Sequence, residues 1–429
     1  MVSAVAQSSP TKQRLEQTRD WLLRTRAGEK LFILSLCLVY VMHSIWSART
    51  VLWFLVVPVM LVSVAPYRNL LPIVKSWVFV ACAVFLGLIL ATSVLGGETS
   101  AQVLLLNLRF SAAVLAFVLI TAQLVRDDGD FLRLLFLFLA PIAALTAIRD
   151  VVSFTGWSLE TLMSTRLEGV KGLTVYYNSN VIGMMYAMPC VGAAAIMTSR
   201  SLKLWQHVML AASILVLLGA ILLTGSRGSL IAASVGIGLS VLLSEHRRLK
   251  VGLIVLVVVA VGVIALAPFQ SELLQRRDSL RLSLWPVYLQ LALAKPWLGY
   301  GLGFDTRQTL ADGYVVMNAH NIVLCALVRG GVLTALALLG IALAAALGGL
   351  KAWRRSGEVA ALALLATCLT ASSVDYEIVP TDLGYLYFLF WLPAGVCLGA
   401  ALAAGHRVLP GRLLKVQPVS SQNRPPVKD

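Results

Sequence analysis

The chain has 429 residues, of which 59% are hydrophobic and only 13% are charged. Soluble globular proteins carry roughly a quarter charged residues, so this composition excludes an ordinary soluble domain and favours a protein whose solvent is lipid. The net charge of +15 does not indicate nucleic-acid binding, because the Lys and Arg residues lie in short loops between apolar runs.

The apolar runs predict the architecture of the chain. A spanning helix needs roughly 20 mostly apolar residues, and Lys12 to Lys30, ahead of the first such run, is expected to form a short interfacial helix. The runs predict an all-α polytopic membrane protein with about twelve spans, at 31–47, 51–66, 76–96, 102–124, 131–154, 175–198, 204–224, 228–244, 250–268, 331–349, 357–374 and 382–405.

Charge orients this bundle. Most of the 35 Lys and Arg residues fall in loops and tails on one side, which the positive-inside rule makes cytoplasmic. The predicted order is a cytoplasmic segment 1–30, nine spans in 31–268, a large external loop with amphipathic helices in 269–319, three spans in 320–405 and a cytoplasmic tail 406–429. The predicted external loop contains several basic residues, contrary to the positive-inside rule, so these residues need another explanation.

The sequence contains no motif typical of a metal or cofactor site. The six cysteines lie within or at the edges of apolar segments without metal-ligand spacing, so they are predicted to be small core or lipid-facing residues. There is no HExxH motif and no paired His/carboxylate ligand set. The closest approach to a carboxylate ligand pair is Asp375 and Glu377. We predict neither a bound metal nor a cofactor.

The stretch LTGSRGSL places Arg227 between two spans at the outer face. Ser226 is expected to cap the second helix, which puts Arg227 in its first turn. A guanidinium beside outward-pointing backbone N–H groups forms an anion site. An arginine that only anchors the helix end is an equal alternative.

The external loop contains a predicted amphipathic helix on the outer leaflet surface. Arg277, Arg281 and Trp285 share one face at a spacing of four residues, and Leu280, Leu284, Tyr288 and Leu291 share another. Pro286 is expected to restart the helix. The glycines of GYGLGF predict a tight backbone turn, and a helix that is merely anchored by its arginines is the alternative.

His320 is the histidine that shares the outer face with these arginines. Asn318 is expected to cap the next helix, placing His320 in its first turn. The helix dipole there is expected to lower the histidine pKa and favour a neutral imidazole, which suits a general base. A structural, hydrogen-bonded histidine is the alternative.

Arg277 of the external helix and four further residues are weaker candidates for contact with substrate phosphate. Arg109 lies about seven residues inside its span, and Arg149 lies beside Asp150, which makes a structural ion pair an equal interpretation. Lys171 and Asn180 flank the start of another helix. Arginine binds phosphate oxygens in a bidentate manner, so the outer face suits a lipid pyrophosphate held without a divalent cation.

Together, TGSRG around Arg227, RLSLWPVYLQLALAKPWLGYGLG with Arg281, and His320–Asn321 ahead of Gly330–Gly331 resemble the O-antigen ligases and, more broadly, the O-antigen ligase and polymerase superfamily. The resemblance implies a GT-C-like inverting glycosyltransferase of the bacterial inner membrane. It implies glycan transfer from undecaprenyl pyrophosphate to the lipid A-core in the periplasm, with Arg227 and Arg281 on the pyrophosphate and His320 catalytic.

Other functions stay open at this point. An O-antigen polymerase would use a second lipid-linked glycan as acceptor, and a related enzyme would glycosylate a protein. A transporter of lipid-linked oligosaccharides is a different class, which predicts charges deep within the bundle or along a path across it. A structural membrane subunit is the remaining alternative.

Overall fold

The structure is a computed structural model. It describes residues 10–42, 49–63, 70–96, 99–156, 158, 161, 165–169, 178–245, 251–252, 254, 281–310, 313, 315–377, 379–380 and 383–406. Most of the predicted span 250–268 lies outside these residues, as do Lys171, Arg277 and the C-terminal tail.

The N-terminal half consists of helices. They are α1 (Pro10–Thr25), α2 (Ala27–Val41), the π-helix α3 (Val51–Val56), α4 (Val57–Ser63), α5 (Leu71–Val74), α6 (Trp77–Leu95), α7 (Ala101–Asp127), α8 (Phe131–Thr155) and α9 (Ser179–Ser199). Arg26 has a φ of 53° and separates α1 from α2, so the interfacial helix predicted over Lys12 to Lys30 ends earlier, at Thr25.

In the described part of the C-terminal half, the elements are helices and one short hairpin. Its elements are α10 (Leu204–Leu223), α11 (Arg227–Leu243), α12 (Arg281–Ala294), β1 (Gln308–Thr309), β2 (Val315–Val316), α13 (Ile322–Ser356), α14 (Ala360–Ser372), the π-helix α15 (Tyr387–Trp391) and α16 (Leu392–His406). The two strands pair antiparallel and are an exception to the all-α prediction.

Membrane-spanning character is confirmed for the chain as a whole. Within the described ranges, seven helices are long and apolar enough to cross a bilayer, namely α6 to α10, α13 and the continuous helix Tyr387–Gly405. Helices α11 and α14 are apolar but shorter. The protein is therefore an all-α polytopic membrane protein, and the count of twelve spans stays a prediction.

Helix α9 lies in the middle of the bundle and packs against α8, α10, α11 and α14. It is buried almost throughout because small residues along its C-terminal half, such as Gly192 and Ala193 to Ala195, let the neighbouring backbones approach. Its N-terminus therefore stands between the ends of α11 and α14, where the candidate site lies.

A second, smaller apolar cluster packs α12 and residues within 310–319 against the start of α13. Leu284 and Tyr288 of α12 are each 1% exposed, and they pack against Val316, Ala319 and the start of α13. This face of α12 therefore packs on the protein, and the expectation that the helix lies on the outer leaflet surface stays a prediction. Leu289 and Leu293, on the other side of α12, are exposed.

Candidate active site

Helix α13 is broken at Gly331, where φ is 68° and ψ is −170°. Only glycine adopts this backbone conformation readily. The break frees carbonyl groups of the preceding turn, and the backbone N–H groups of Tyr300 and Gly301 donate to the carbonyls of Val328 and Arg329, both at 2.8 Å. The tight turn predicted from GYGLGF is confirmed by the positive φ of Gly299 and Gly301. These two hydrogen bonds join the turn to the first part of α13, residues 322–330.

His320 lies just before α13. Its φ is 46°, and its backbone N–H donates to Asn318 Oδ1 at 2.9 Å. The helix cap is Asn321, whose side chain accepts from the N–H groups of Val323 and Leu324. The expectations that Asn318 is the cap and that His320 sits in the first turn are therefore wrong, because the left-handed His320 turns the chain before the helix begins.

The imidazole of His320 is paired with Asp375. Its Nδ1 lies 2.8 Å from Asp375 Oδ1 and 3.2 Å from the Asp375 backbone carbonyl oxygen. Both oxygens accept, so Nδ1 carries the proton and the neutral ring presents its lone pair at Nε2. The histidine side chain is 34% exposed and the aspartate 8%, so a buried carboxylate orients an accessible base.

This hydrogen bond sets the protonation of the histidine. The bond to Asp375 raises the pKa of His320 above its ordinary value, and it outweighs burial and the nearby positive charge of Arg281, which lower that pKa. The lowered pKa expected from the helix dipole is therefore wrong in direction. A carboxylate in contact with the ring acts more strongly than a helix end that begins two residues later.

Asp375 belongs to the 373–377 segment, which follows α14 and is bound to the ends of α9 and α13. Its first residue accepts at the backbone carbonyl of Ser373 from Asn321 Nδ2, at 2.9 Å. The Tyr376 hydroxyl donates to the Asn180 carbonyl at 2.8 Å, at the N-terminus of α9. The segment thus holds the ends of α9, α13 and α14 together.

Arg227 lies where the sequence places it. Ser226 caps α11 and accepts from the Ser229 N–H, so the predicted cap and first-turn position are confirmed. A Cβ built on the next residue, Gly228, would stand 3.3 Å from Val374 Cγ2. The first turn of α11 therefore packs directly on the 373–377 segment.

Arg281 begins the described part of α12. Its charge acts on both His320 and Tyr376, and Trp285, one turn further along, donates from Nε1 to the Ala319 carbonyl at 3.2 Å. The face shared by Arg281 and Trp285 is thus turned toward His320. Pro286 lies inside this helix, so the prediction that it restarts the helix is wrong.

Asn180 lies next to the site but is engaged by protein groups. Its Oδ1 accepts from Arg166 Nη2 at 3.3 Å, and its carbonyl accepts from Ser229 at 3.2 Å. Arg166 also donates from Nε to the Thr224 carbonyl at 2.8 Å. No sequence pattern ties Arg166 to the turn that contains Thr224, because the two residues are 58 positions apart.

The remaining candidates are not brought to His320 by any contact described. Arg149 donates from Nε and Nη2 to Asp150 Oδ1 at 2.9 and 2.7 Å, and Tyr186 donates to Asp150 Oδ2 at 2.6 Å. Arg109 is exposed on α7, with its guanidinium 5.2 Å from the Phe110 ring centroid. Lys171 and Arg277 lie outside the described residues.

Two features of the site were not predicted from the sequence. Asp375 and Glu377 were visible as an acidic pair, but nothing in the pattern connects them to a histidine 55 residues earlier. No motif in the sequence singled out Arg329 either, although its side chain binds Glu377 and several carbonyl groups of the 301–306 loop. Within the described ranges no group of three His, Cys, Asp or Glu side chains is placed to hold a metal ion.

The fold and this site define a polytopic membrane protein with a histidine–carboxylate pair and arginines gathered at the ends of its helices. A family model described as O-antigen ligase matches residues 211–339, the part of the chain that contains Arg227, Arg281 and His320. The resemblance to the O-antigen ligase family is thereby confirmed.

A curated relative agrees with this assignment. The O-antigen ligase of Pseudomonas aeruginosa is 29% identical over 120 residues, which are 28% of this chain and 29% of the relative. The matched segment thus spans less than a third of that protein. Asp375 and Glu377 lie beyond the residues that the family model matches.

Proposed function

We propose that this protein is an O-antigen ligase, a glycosyltransferase that moves a glycan from undecaprenyl pyrophosphate to the lipid A-core oligosaccharide. It acts at the periplasmic face of the bacterial inner membrane, with both chain ends in the cytoplasm. The observation that carries the proposal is the bond between His320 Nδ1 and Asp375 Oδ1, at the edge of a segment that matches the ligase family.

The proposed reaction is a single displacement. His320 Nε2 takes the proton of an acceptor sugar hydroxyl, whose oxygen forms a bond to the anomeric carbon of the donor as the bond to the pyrophosphate oxygen breaks. Attack from the face opposite the leaving group inverts that carbon. Asp375 is the positioning residue that keeps Nδ1 protonated and stabilises the imidazolium as it forms.

The leaving pyrophosphate gains charge in this step, and arginine stabilises such charge by bidentate hydrogen bonds. Arg281 is the first candidate because its charge already acts on His320. Arg227 is the second, because its helix turn packs on the segment that carries Asp375. Guanidinium groups supply fixed positive charge, so the proposed transfer needs neither a divalent cation nor a cofactor.

The test is a reconstituted assay with purified lipid-linked glycan and lipid A-core. We expect His320→Ala to lose about 10²- to 10⁴-fold in kcat, the usual contribution of general base catalysis. His207→Ala, which changes a partly buried histidine near the start of α10, is the matched control and should transfer normally. A folded His320→Ala enzyme that works at the wild-type rate would contradict the proposal. Activity that a chelator abolishes and a divalent metal restores would contradict the proposed independence from metal.

The acceptor distinguishes this enzyme from its nearest alternative. A polymerase uses the same donor and the same base but needs a second lipid-linked glycan as acceptor. If lipid A-core alone yields no product while added lipid-linked glycan is extended, polymerase replaces ligase. Movement of labelled lipid-linked glycan across vesicles without any transfer product would instead favour a transporter.

A further inference from the structure

An ion pair outside the proposed catalytic groups joins three parts of the site. Arg329 Nε donates to Glu377 Oε1 at 2.7 Å, with the arginine side chain 13% and the glutamate 15% exposed. Arg329 lies in the first part of α13, about two turns after its cap at Asn321, and Glu377 ends the 373–377 segment. Neither residue contacts His320 in the bonds described.

The same guanidinium also holds the external loop. Arg329 Nη1 donates to the carbonyls of Phe304 at 2.5 Å and Leu302 at 3.3 Å, while its own carbonyl accepts from the Gly301 N–H. A charge with this many partners fixes the loop, the helix and the 373–377 segment against one another. Lysine has no planar fork and cannot reproduce these contacts.

We propose that Arg329 and Glu377 form a positioning pair, which sets the place of Asp375 and through it the orientation of His320; the inference rests on the proposed function. The geometry that carries it is the two-residue spacing of Asp375 and Glu377 in an irregular segment. Such residues are at most about 7 Å apart along the chain, so a shift at one moves the other.

The main chain at Asp375 is itself part of the contact. His320 Nδ1 lies 3.2 Å from the Asp375 carbonyl oxygen as well as 2.8 Å from its carboxylate. A side-chain rotamer can adjust when the backbone moves, but a carbonyl oxygen cannot. Holding this backbone in place therefore requires a fixed point on each side of Asp375. Asn321 provides one at Ser373; on the other side, Tyr376 is bound to the Asn180 carbonyl and Arg329 holds Glu377 at the end of the segment.

A purely structural role is the competing interpretation. Partly buried ion pairs often contribute little net stability compared with apolar residues of similar size, so stability alone gives weak reason for this arrangement. The two interpretations differ in what a conservative change does to catalysis. A positioning pair alters the rate per folded molecule and the behaviour of the histidine, whereas a structural pair alters only the amount of folded protein.

The experiment measures kcat, KM and the pH–rate profile of detergent-purified Glu377→Gln, alongside thermal unfolding. A displacement of about 1 Å at a reacting group costs roughly a hundredfold in rate, so we expect kcat to fall between tenfold and a hundredfold, with KM for the donor little changed. Glu377→Asp, which keeps the charge, should recover part of the loss.

The pH profile adds a direction. The charged groups that act on the pKa of His320 are Asp375 and Arg281, and the first turn of α11, which begins with Arg227, packs on the 373–377 segment. Asp375 raises the pKa of His320, so loosening Asp375 should move the acid limb of the profile to lower pH. Asp305→Asn is the matched control, since this carboxylate pairs with Arg307 in the same external loop but is 57% exposed; its kcat and acid limb should stay at wild-type values.

The outcomes separate the two claims. If Glu377→Gln unfolds at a lower temperature but keeps the wild-type kcat and acid limb, the pair is structural and the inference fails. If Glu377→Gln does not fold, Arg329→Lys decides by the same two readouts. If His320→Ala retains full activity, the proposed function fails, whatever the Glu377 variants do.

Discussion

Replacing Asp375 by asparagine tests the catalytic pair directly. The change preserves the size of the side chain but removes the negative charge that faces His320 Nδ1 at 2.8 Å. A hydrogen bond to a charged group contributes roughly 1.5–3 kcal/mol, which corresponds to about 10- to 100-fold in rate. Because the histidine is 34% exposed, water screens part of this interaction, and we expect a loss in kcat near tenfold.

The same variant changes the pH dependence. Asp375 raises the pKa of His320, so the neutral base of the wild-type enzyme is lost at a higher pH than for an ordinary histidine. Without the carboxylate, burial and Arg281 lower the pKa, and the acid limb of kcat/KM moves to lower pH. The activity that remains is therefore less sensitive to acid, although its maximum is lower.

The assay is glycan transfer measured across the acid limb, with the folded fraction determined for each variant. Asp130→Asn is a suitable control, since Asp130 pairs with Arg133 and is 50% exposed at the start of α8. An Asp375→Asn enzyme with the wild-type kcat and an unmoved acid limb would refute the role given to the pair. A loss of rate with an unmoved limb would show that Asp375 acts without changing the basicity of His320.

Two further predictions concern stability. Gly331→Ala is expected to lower the unfolding temperature strongly, because its φ of 68° and ψ of −170° lie in a region that costs a non-glycine residue roughly 1–3 kcal/mol, and the added Cβ would stand 2.2 Å from the Trp297 carbonyl oxygen. Gly340→Ala in the same helix meets no atom within 4 Å and should be neutral or stabilising; equal melting of the two variants would contradict this reasoning. Tyr186→Phe removes the donor to the buried Asp150 carboxylate and should cost about 1.5–3 kcal/mol by thermal unfolding in detergent, while unchanged stability would mean that water replaces the hydroxyl.

The positions of the helices were largely open to prediction from the sequence. Apolar length and the helix period placed α6 to α11 to within a few residues, because backbone groups in lipid must be satisfied within each segment. The cap at Ser226 was equally local, since a serine before an apolar run has few other uses. The break in α13 at Gly331 was not predicted, because two adjacent glycines in an apolar run do not by themselves give a backbone geometry.

The site required tertiary structure. The sequence predicts that His320, Arg227 and Arg281 belong to the outer face, because charge and span count indicate which helix ends point outward. It could not determine that His320 pairs with Asp375, or that Arg329 pairs with Glu377, because these contacts join residues about fifty positions apart. Only the packing of α9, α11, α13 and α14 brings the 373–377 segment to the histidine, and that contact reverses the direction of the pKa shift that the helix dipole alone would give.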